Sequence, residues 1–300
     1  MTPVRLLLVV LVTGPSPSSI GEATILALAA AHPAKFILVG RTPAKYAPVA
    51  DAVKKVNAEI DVRVYGIDLS SIASVRDGAS KIISENDWID VLINNAGIMG
   101  GPLTKTKDGI EKGFATNHIG HFLLTNKLMA LLLKSDEPRI INVSSLGHMS
   151  GTGDYSDYNF EKTAYSWHAA YGQSKLAHNP QANIHFTYAL AKKLAPRGVT
   201  SLAVHPGTIY ATNIFATLEP QEDAELRGFI TATGSKLKSL EEGTATTIFA
   251  ALDPNLREHN GAYLADCQVS ETTGPGAKVP DAPENLWKLS ETLVGETFAY

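Results

Sequence analysis

Leu6-Leu7-Leu8-Val9-Val10-Leu11-Val12 runs straight into Thr13-Gly14-Pro15-Ser16-Pro17-Ser18-Ser19-Ile20-Gly21, and an Ala/Leu-rich stretch follows as far as Ala31. An apolar run without polar alternation suits a strand buried on both faces, as in a parallel sheet. Ile20–Ala31, with Glu22 in its first turn, reads as a helix. A strand, a loop of small residues and a helix aim a helix N-terminus at whatever sits above the strand, an arrangement suited to a phosphate. Gly14 can make the tight turn, and Gly21 lets the helix approach the strand. Ser16, Ser18 and Ser19 offer hydroxyls. Ser18 and Ser19 stand where glycine would be expected, so their Cβ atoms narrow the approach. Behind Arg5, the apolar run also resembles the h-region of a signal peptide. It is too short to span a bilayer, and no small-x-small cleavage site follows closely. The strand reading is preferred because the next residues make sense only when attached to a strand.

The same alternation continues outward. Phe36–Val39, Val62–Tyr65, Val91–Ile93, Ile140–Val143, Thr200–Val204 and a short stretch near Ala262–Leu264 read as strands. Pro43–Asn57, a segment N-capped by Ser70 and running to about Asn86, Gly109–Leu133, Lys175–Leu194 and Glu284–Val294 read as helices. Thr272–Pro283 is Gly/Pro-rich and is expected as a surface excursion. Alternating βαβα with apolar strands predicts a doubly wound α/β fold of Rossmann type, a parallel sheet with helices on both faces. No linker or repeat interrupts it. Residues 1–300 read as a single domain. Residues 1–145 form mainly its cofactor-binding half, and 146–300 carry the catalytic helix, substrate loops and C-terminal segment.

Of the 300 residues, 44% are hydrophobic and the formal net charge is -4, which fits a globular chain and gives no basic footprint for nucleic acid. With a single cysteine, Cys267, no disulfide can form within the chain, which suits a reducing compartment. A cytoplasmic location is expected, without stable membrane insertion. The alternative is membrane association through the apolar N-terminus.

At the end of the second strand stands Arg41, where an NAD-preferring site would place a carboxylate. Its guanidinium fork suits a 2′-phosphate and favours NADP(H). Asp68, next to Leu69, could accept from an adenine amino group or help cap the following helix. Asn95-Ala96-Gly97 closes the fourth strand with small and amide residues that suit a bound ribose, though they also make a good turn.

Tyr171 and Lys175 are four apart, on one face of a helix. An ammonium beside a phenol stabilises the phenolate, so Tyr171 could pass a proton to a carbonyl or take one from an alcohol while hydride moves. Ser145 ends the fifth strand, where its hydroxyl can hold a substrate oxygen. Asn117 lies inside a helical stretch that disfavours it, which hints at a bend holding a relay water.

Taken together and in order, TGx(5)IG, Asp68-Leu69, NNAG, TNHIGHFLLT, INVSS, YGQSK and HPG resemble the short-chain dehydrogenase/reductase family. The similarity is greatest to its retinol-dehydrogenase-like branch and that branch's fungal relatives. It implies a tetrad of Asn117, Ser145, Tyr171 and Lys175, with Lys175 also bonding the nicotinamide ribose beside Tyr171. It further implies that Ile20 belongs to the phosphate loop, that Pro206, Gly207 and Ile209 border the nicotinamide, and that Thr212 bonds its carboxamide. No metal is expected, and His118, His121 and His148 read as packing residues. The sequence departs from the family pattern over 178–183, where a short insertion carries Pro180. In a regular helix that proline would cost on the order of 3 kcal/mol, so a kink is expected near Asn179–Ala182. In this family the helix often makes a dimer interface, so a homodimer is in doubt. Another long insertion separates Ser145 from Tyr171 and brings Tyr155, Tyr158, Phe160, Tyr165 and Trp167. With Met99, Ile209, Tyr210, Ile214 and Phe215 these could line an apolar substrate pocket, or simply pack the insert down.

The expectation is an NADP(H)-dependent oxidoreductase that interconverts a carbonyl and an alcohol on a small apolar molecule. The alternative is a catalytically weak NADP(H)-binding regulatory or scaffold protein on the same fold.

Overall fold

A computed structural model of the protein describes residues 8–145, 153–167, 170, 182–215, 218–232, 234, 236–271 and 274–300. Among these residues the strands are β1 Val9–Thr13, β2 Lys35–Gly40, β3 Asp61–Gly66, β4 Val91–Asn94, β5 Arg139–Val143, β6 Thr200–His205, β7 Tyr263–Ala265 and β8 Gln268–Val269. They form one sheet in the order β3-β2-β1-β4-β5-β6-β7-β8. Every pairing is parallel except β7 with β8. The antiparallel β8 extends the predicted parallel sheet. It is too short and polar to be read from pattern.

The helices are α1 Ile20–Ala29, α2 Ala47–Val56, α3 Ile72–Glu85, α4 (residues 112–132), α5 Ala182–Leu194, α6 Pro220–Ala232, α7 Leu240–Leu252 and α8 Ala282–Val294. Strand side chains alternate between the two faces. Leu11, Ile37, Val39, Leu92 and Ile140 meet α3, α4, α5 and α8. Val10, Val12, Phe36, Leu38, Ile93 and Ile141 meet α1, α2 and α7. β1, β4 and β5 are buried along their whole length, which explains their continuous apolar runs.

Three expectations are corrected. α3 is capped by Ser71, which accepts from the Ser74 amide at 3.3 Å. Ser70 is held instead by Asp68, whose Oδ1 accepts from its amide at 2.9 Å and its hydroxyl at 2.7 Å. The long helix expected over Gly109–Leu133 starts later and is interrupted. Lys112–Phe114 leads into a wide π turn at Ala115–Ile119, followed by Gly120–Lys127 and Met129–Leu132. Part of the segment expected on the surface is core. Pro275–Lys278 forms a short turn of helix whose Ala277 packs with Ile184, Ala203 and Tyr263. The kink expected near Asn179–Ala182 lies almost wholly outside the described residues, which resume at Ala182 in regular helix.

Among the described residues no helix is long and apolar enough to cross a membrane.

Candidate active site

The order of the sheet reverses between β1 and β4, and a doubly wound sheet opens a crevice beyond its strand ends at such a point. A cavity of about 500 Å³ lies there. Its walls include Gly14, Ser16, Ser19, Ile20, Arg41, Asp68, Leu69, Asn95, Ala96, Gly97 and Thr212, all singled out from sequence. Ser18, Gly21, Pro206, Gly207 and Ile209 are not part of these walls. Tyr171 and Lys175 lie outside the described residues, as does His148.

The loop after β1 is built by close approach. Gly14 has φ +67°, and a Cβ there would sit 2.8 Å from the Cβ of Ala96. A Cβ on Gly21 would sit 2.6 Å from Asn95 Nδ2 and 2.9 Å from Pro15 Cα, so α1 can pack only with glycine there. Ser19 N-caps α1, accepting from the Glu22 amide at 3.2 Å. Ser18 is exposed with φ 59°, and its amide donates to Glu22 Oε2 at 2.6 Å.

Beyond β2, Arg41 shares the crevice wall with Thr42, Lys45 and Tyr46. Among the described residues neither Arg41 nor Lys45 has a carboxylate partner. Lys45 was missed from sequence, although it follows Arg41 by four positions on a single turn of 3-10 helix, Pro43–Tyr46. Burial pushes the Tyr46 phenol up, against the pull of Arg41. Ser70, Ile98, Lys112, Thr116, Asn213 and Ile214 also line the crevice. Asn213 Nδ2 reaches the Pro17 carbonyl at 3.1 Å, joining the loop after β6 to the loop after β1.

The floor is a hydrogen-bonded turn. Thr13 Oγ1 accepts from the amides of Asn95 and Ala96, both at 2.9 Å. Asn95 Nδ2 donates to the Thr13 carbonyl at 2.8 Å. Asn117, fully buried in the π turn, holds Ile98 twice. Its Oδ1 accepts from the Ile98 amide at 2.9 Å and its Nδ2 donates to the Ile98 carbonyl at 3.0 Å. Asn117 falls where the helix widens into a π turn.

Ser145 lies two residues beyond the end of β5, whose register against β6 is carried past the strand by the Ser144 amide donating to the Val204 carbonyl at 2.8 Å. His118 and His121 are buried. His118 Nε2 pairs with Ser290 Oγ at 2.8 Å, and burial lowers its pKa to about 3.

The aromatic insert divides. Tyr155 and Tyr158 pack on Phe114, and Tyr155 bonds His185 Nδ1 at 2.8 Å, so both belong to the core. Phe160 stands edge-on to Tyr165, whose hydroxyl donates to the Gly101 carbonyl at 2.8 Å. Trp167 joins Met99, Leu226, Tyr210, Ile214 and Phe215 in a separate apolar cluster under α6. Ile209 is buried against Gly243.

The family model described as short chain dehydrogenase matches residues 8–223. Human retinol dehydrogenase 13 is 36% identical over 293 residues, covering 95% of this chain and 84% of its own length. The chloroplastic short-chain dehydrogenase TIC 32 A of Brassica napus is 40% identical over 248 residues, covering 79% of this chain and 73% of its own. The crystal structure of an uncharacterised protein from Mycobacterium paratuberculosis superposes with a TM-score of 0.72 at 29% identity, covering 97% of this chain and 95% of the other. With a crevice at the switch point and these relatives, the chain belongs to the short-chain dehydrogenase/reductase family of carbonyl/alcohol oxidoreductases, in its retinol-dehydrogenase-like branch.

Proposed function

We propose that the chain is an NADP(H)-dependent oxidoreductase that interconverts a carbonyl and an alcohol on a small apolar substrate, with Tyr171 as general acid/base. One observation supports this reading above others: the switch-point crevice gathers the N-terminus of α1, the glycine cradle at Gly14, and two cations, Arg41 and Lys45, that have no carboxylate partner among the described residues. A cradle that a Cβ would fill and a helix N-terminus suit a pyrophosphate. Two cations side by side just beyond β2 suit a 2′-phosphate, and the preference for NADP(H) over NAD(H) rests on them.

When bound, the nicotinamide supplies or accepts the hydride. The chain's own residues do the rest. Arg41 and Lys45 hold the phosphate end. Asn95-Ala96-Gly97 form the floor, and Pro206, Gly207 and Thr212 take the nicotinamide side. Ser145 orients the substrate oxygen, Tyr171 gives or takes its proton, and Lys175 holds the phenol in a reactive range. The apolar cluster of Met99, Trp167, Tyr210, Ile214 and Phe215 favours an apolar substrate, as does similarity to relatives named for retinol. The two halves, 1–145 and 146–300, act as one domain in a cytoplasmic protein.

The test is a panel of carbonyl compounds and alcohols assayed with NADPH and NADH side by side. Turnover with NADPH is expected, and Tyr171→Phe abolishes it while NADPH binding persists. Full activity in Tyr171→Phe would overturn the mechanism. A second reading, a catalytically weak NADP(H)-binding regulatory protein, is favoured by Ser18, whose amide is turned to Glu22 and away from a phosphate. It predicts binding of NADPH without turnover of any compound in the panel.

A further inference from the structure

Thr13, at the end of β1, and Asn117, in the π turn, both bond the loop that floors the crevice, and one imidazole joins them. His121 is 2% exposed. Its Nε2 lies 2.9 Å from Thr13 Oγ1, and its Nδ1 lies 3.0 Å from the Asn117 carbonyl. A carbonyl only accepts, so Nδ1 carries the ring proton and donates. Thr13 Oγ1 already accepts from two amides, so its own proton is free to go to Nε2. The competing acceptor, the Ile93 carbonyl, is 3.5 Å away.

These bonds close a ring. The Ala96 amide bonds Thr13, Thr13 bonds His121, His121 bonds Asn117, and Asn117 grips Ile98 by both its amide and its carbonyl. Ala96-Gly97-Ile98 completes the circuit through the backbone. Gly97, in the middle, has no side chain with which to hold itself. The crevice floor is therefore fixed from outside, and His121 is a link between the end of β1 and the π turn that both grip it.

We infer that His121 is a positioning residue that holds the floor of the cofactor crevice in its binding shape and sets Asn117 against it. The inference rests on the oxidoreductase reading above. An apolar ring could fill the same volume, but it would make neither bond.

The test uses the full chain and two readouts. Amide hydrogen exchange reads the floor without cofactor, and a fluorescence titration with NADPH reads its use. His121→Phe keeps volume and loses both bonds. It is expected to speed exchange at Asn95, Ala96 and Ile98 by ~10-fold, leave the amides of α7 unchanged, and weaken NADPH binding by ~10-fold. His121→Gln, which retains a donor and an acceptor, should recover most of both effects. Thr13→Val combined with His121→Phe should be no worse than the worse single variant, because both open the same circuit. Unchanged exchange in His121→Phe, a Gln variant as poor as Phe, or additive losses in the double variant would each overturn the inference. If the unaltered chain fails to bind NADPH, the cofactor reading falls, and the exchange data alone decide whether His121 holds the floor.

Discussion

Asn183 Nδ2 donates to the carbonyl of Val143 at 2.8 Å, tying the first turn of α5 to the last residue of β5. The bond belongs to a buried chain of polar side chains. Thr187 donates to the Asn183 carbonyl, Asn142 donates to Thr187, and Asn94 donates to Asn142 and Thr125. Whatever path residues 178–181 take, α5 therefore returns to fixed register against the strand that leads to Ser145. Asn183→Leu should destabilise the fold by ~1–3 kcal/mol, because it leaves a buried carbonyl unmatched. Chemical denaturation measures this, and turnover should fall more than NADPH affinity, since the bond supports the strand that leads to Ser145. A variant as stable as the parent would show that the register is held elsewhere.

Gly120 sets how closely α4 approaches the loop after β3. A Cβ there would lie 2.3 Å from the carbonyl oxygen of Leu69, and backbone cannot swing aside as a flexible side chain could. Gly120→Ala should lower stability by ~1–3 kcal/mol through overpacking. NADPH affinity should also fall, because Leu69 lines the crevice. Thermal denaturation and an NADPH titration together check both halves.

Arg41→Ala should raise the NADPH dissociation constant by tenfold or more, at ~1.5–3 kcal/mol for a bond between charged groups. Lys45→Ala should have a smaller effect of the same sign. NADH binding should hardly change in either. The NADPH penalty should shrink as salt rises, because both side chains are exposed. Equal losses for NADPH and NADH would place the phosphate elsewhere.

His118 and His185 give the stability a pH dependence of known sign. Burial holds their pKa values at about 3 and about 4, against an ordinary value of 6.5. Below pH 6.5 the unfolded chain takes up protons at both that the folded chain refuses. Stability is thus present above about pH 6.5 and declines as pH falls toward 4. Each histidine contributes a slope approaching ~1.4 kcal/mol per pH unit. Denaturation curves between pH 7 and 5 should show the decline, and His118→Leu should flatten it. An unaltered slope would assign the effect to other groups.

The sheet was legible because buried parallel strands must be apolar throughout, as Val9–Thr13 and Arg139–Val143 nearly are. The crevice was legible at Gly14, Arg41 and Asn95–Gly97 because small, amide and cationic residues follow successive apolar strands at the same end of the sheet. Lys45 was hidden because a lysine on a polar turn carries no pattern of its own. His121 was read as packing, which its burial supports. Its link to Thr13 joins residues far apart in sequence, and no local periodicity encodes that. Ala277 escaped because Gly/Pro-rich segments usually run over the surface, and here α5 and β7 offer a slot.

The packing of Phe122 bears on how the chain folds as it is made. Its ring meets Trp287 at 5.0 Å, Phe186 at 5.6 Å and Phe298 at 5.6 Å. In synthesis from the N-terminus, Phe122 leaves the ribosome long before Trp287 and Phe298. One side of the sheet therefore keeps its apolar face open until α8 is made, and the other, covered early by α1 and α2, still waits for α7. Nascent chains of this protein should be most prone to aggregate in that interval. Slowing translation between α5 and α8 should lower the yield of folded protein more than slowing it between β1 and α3.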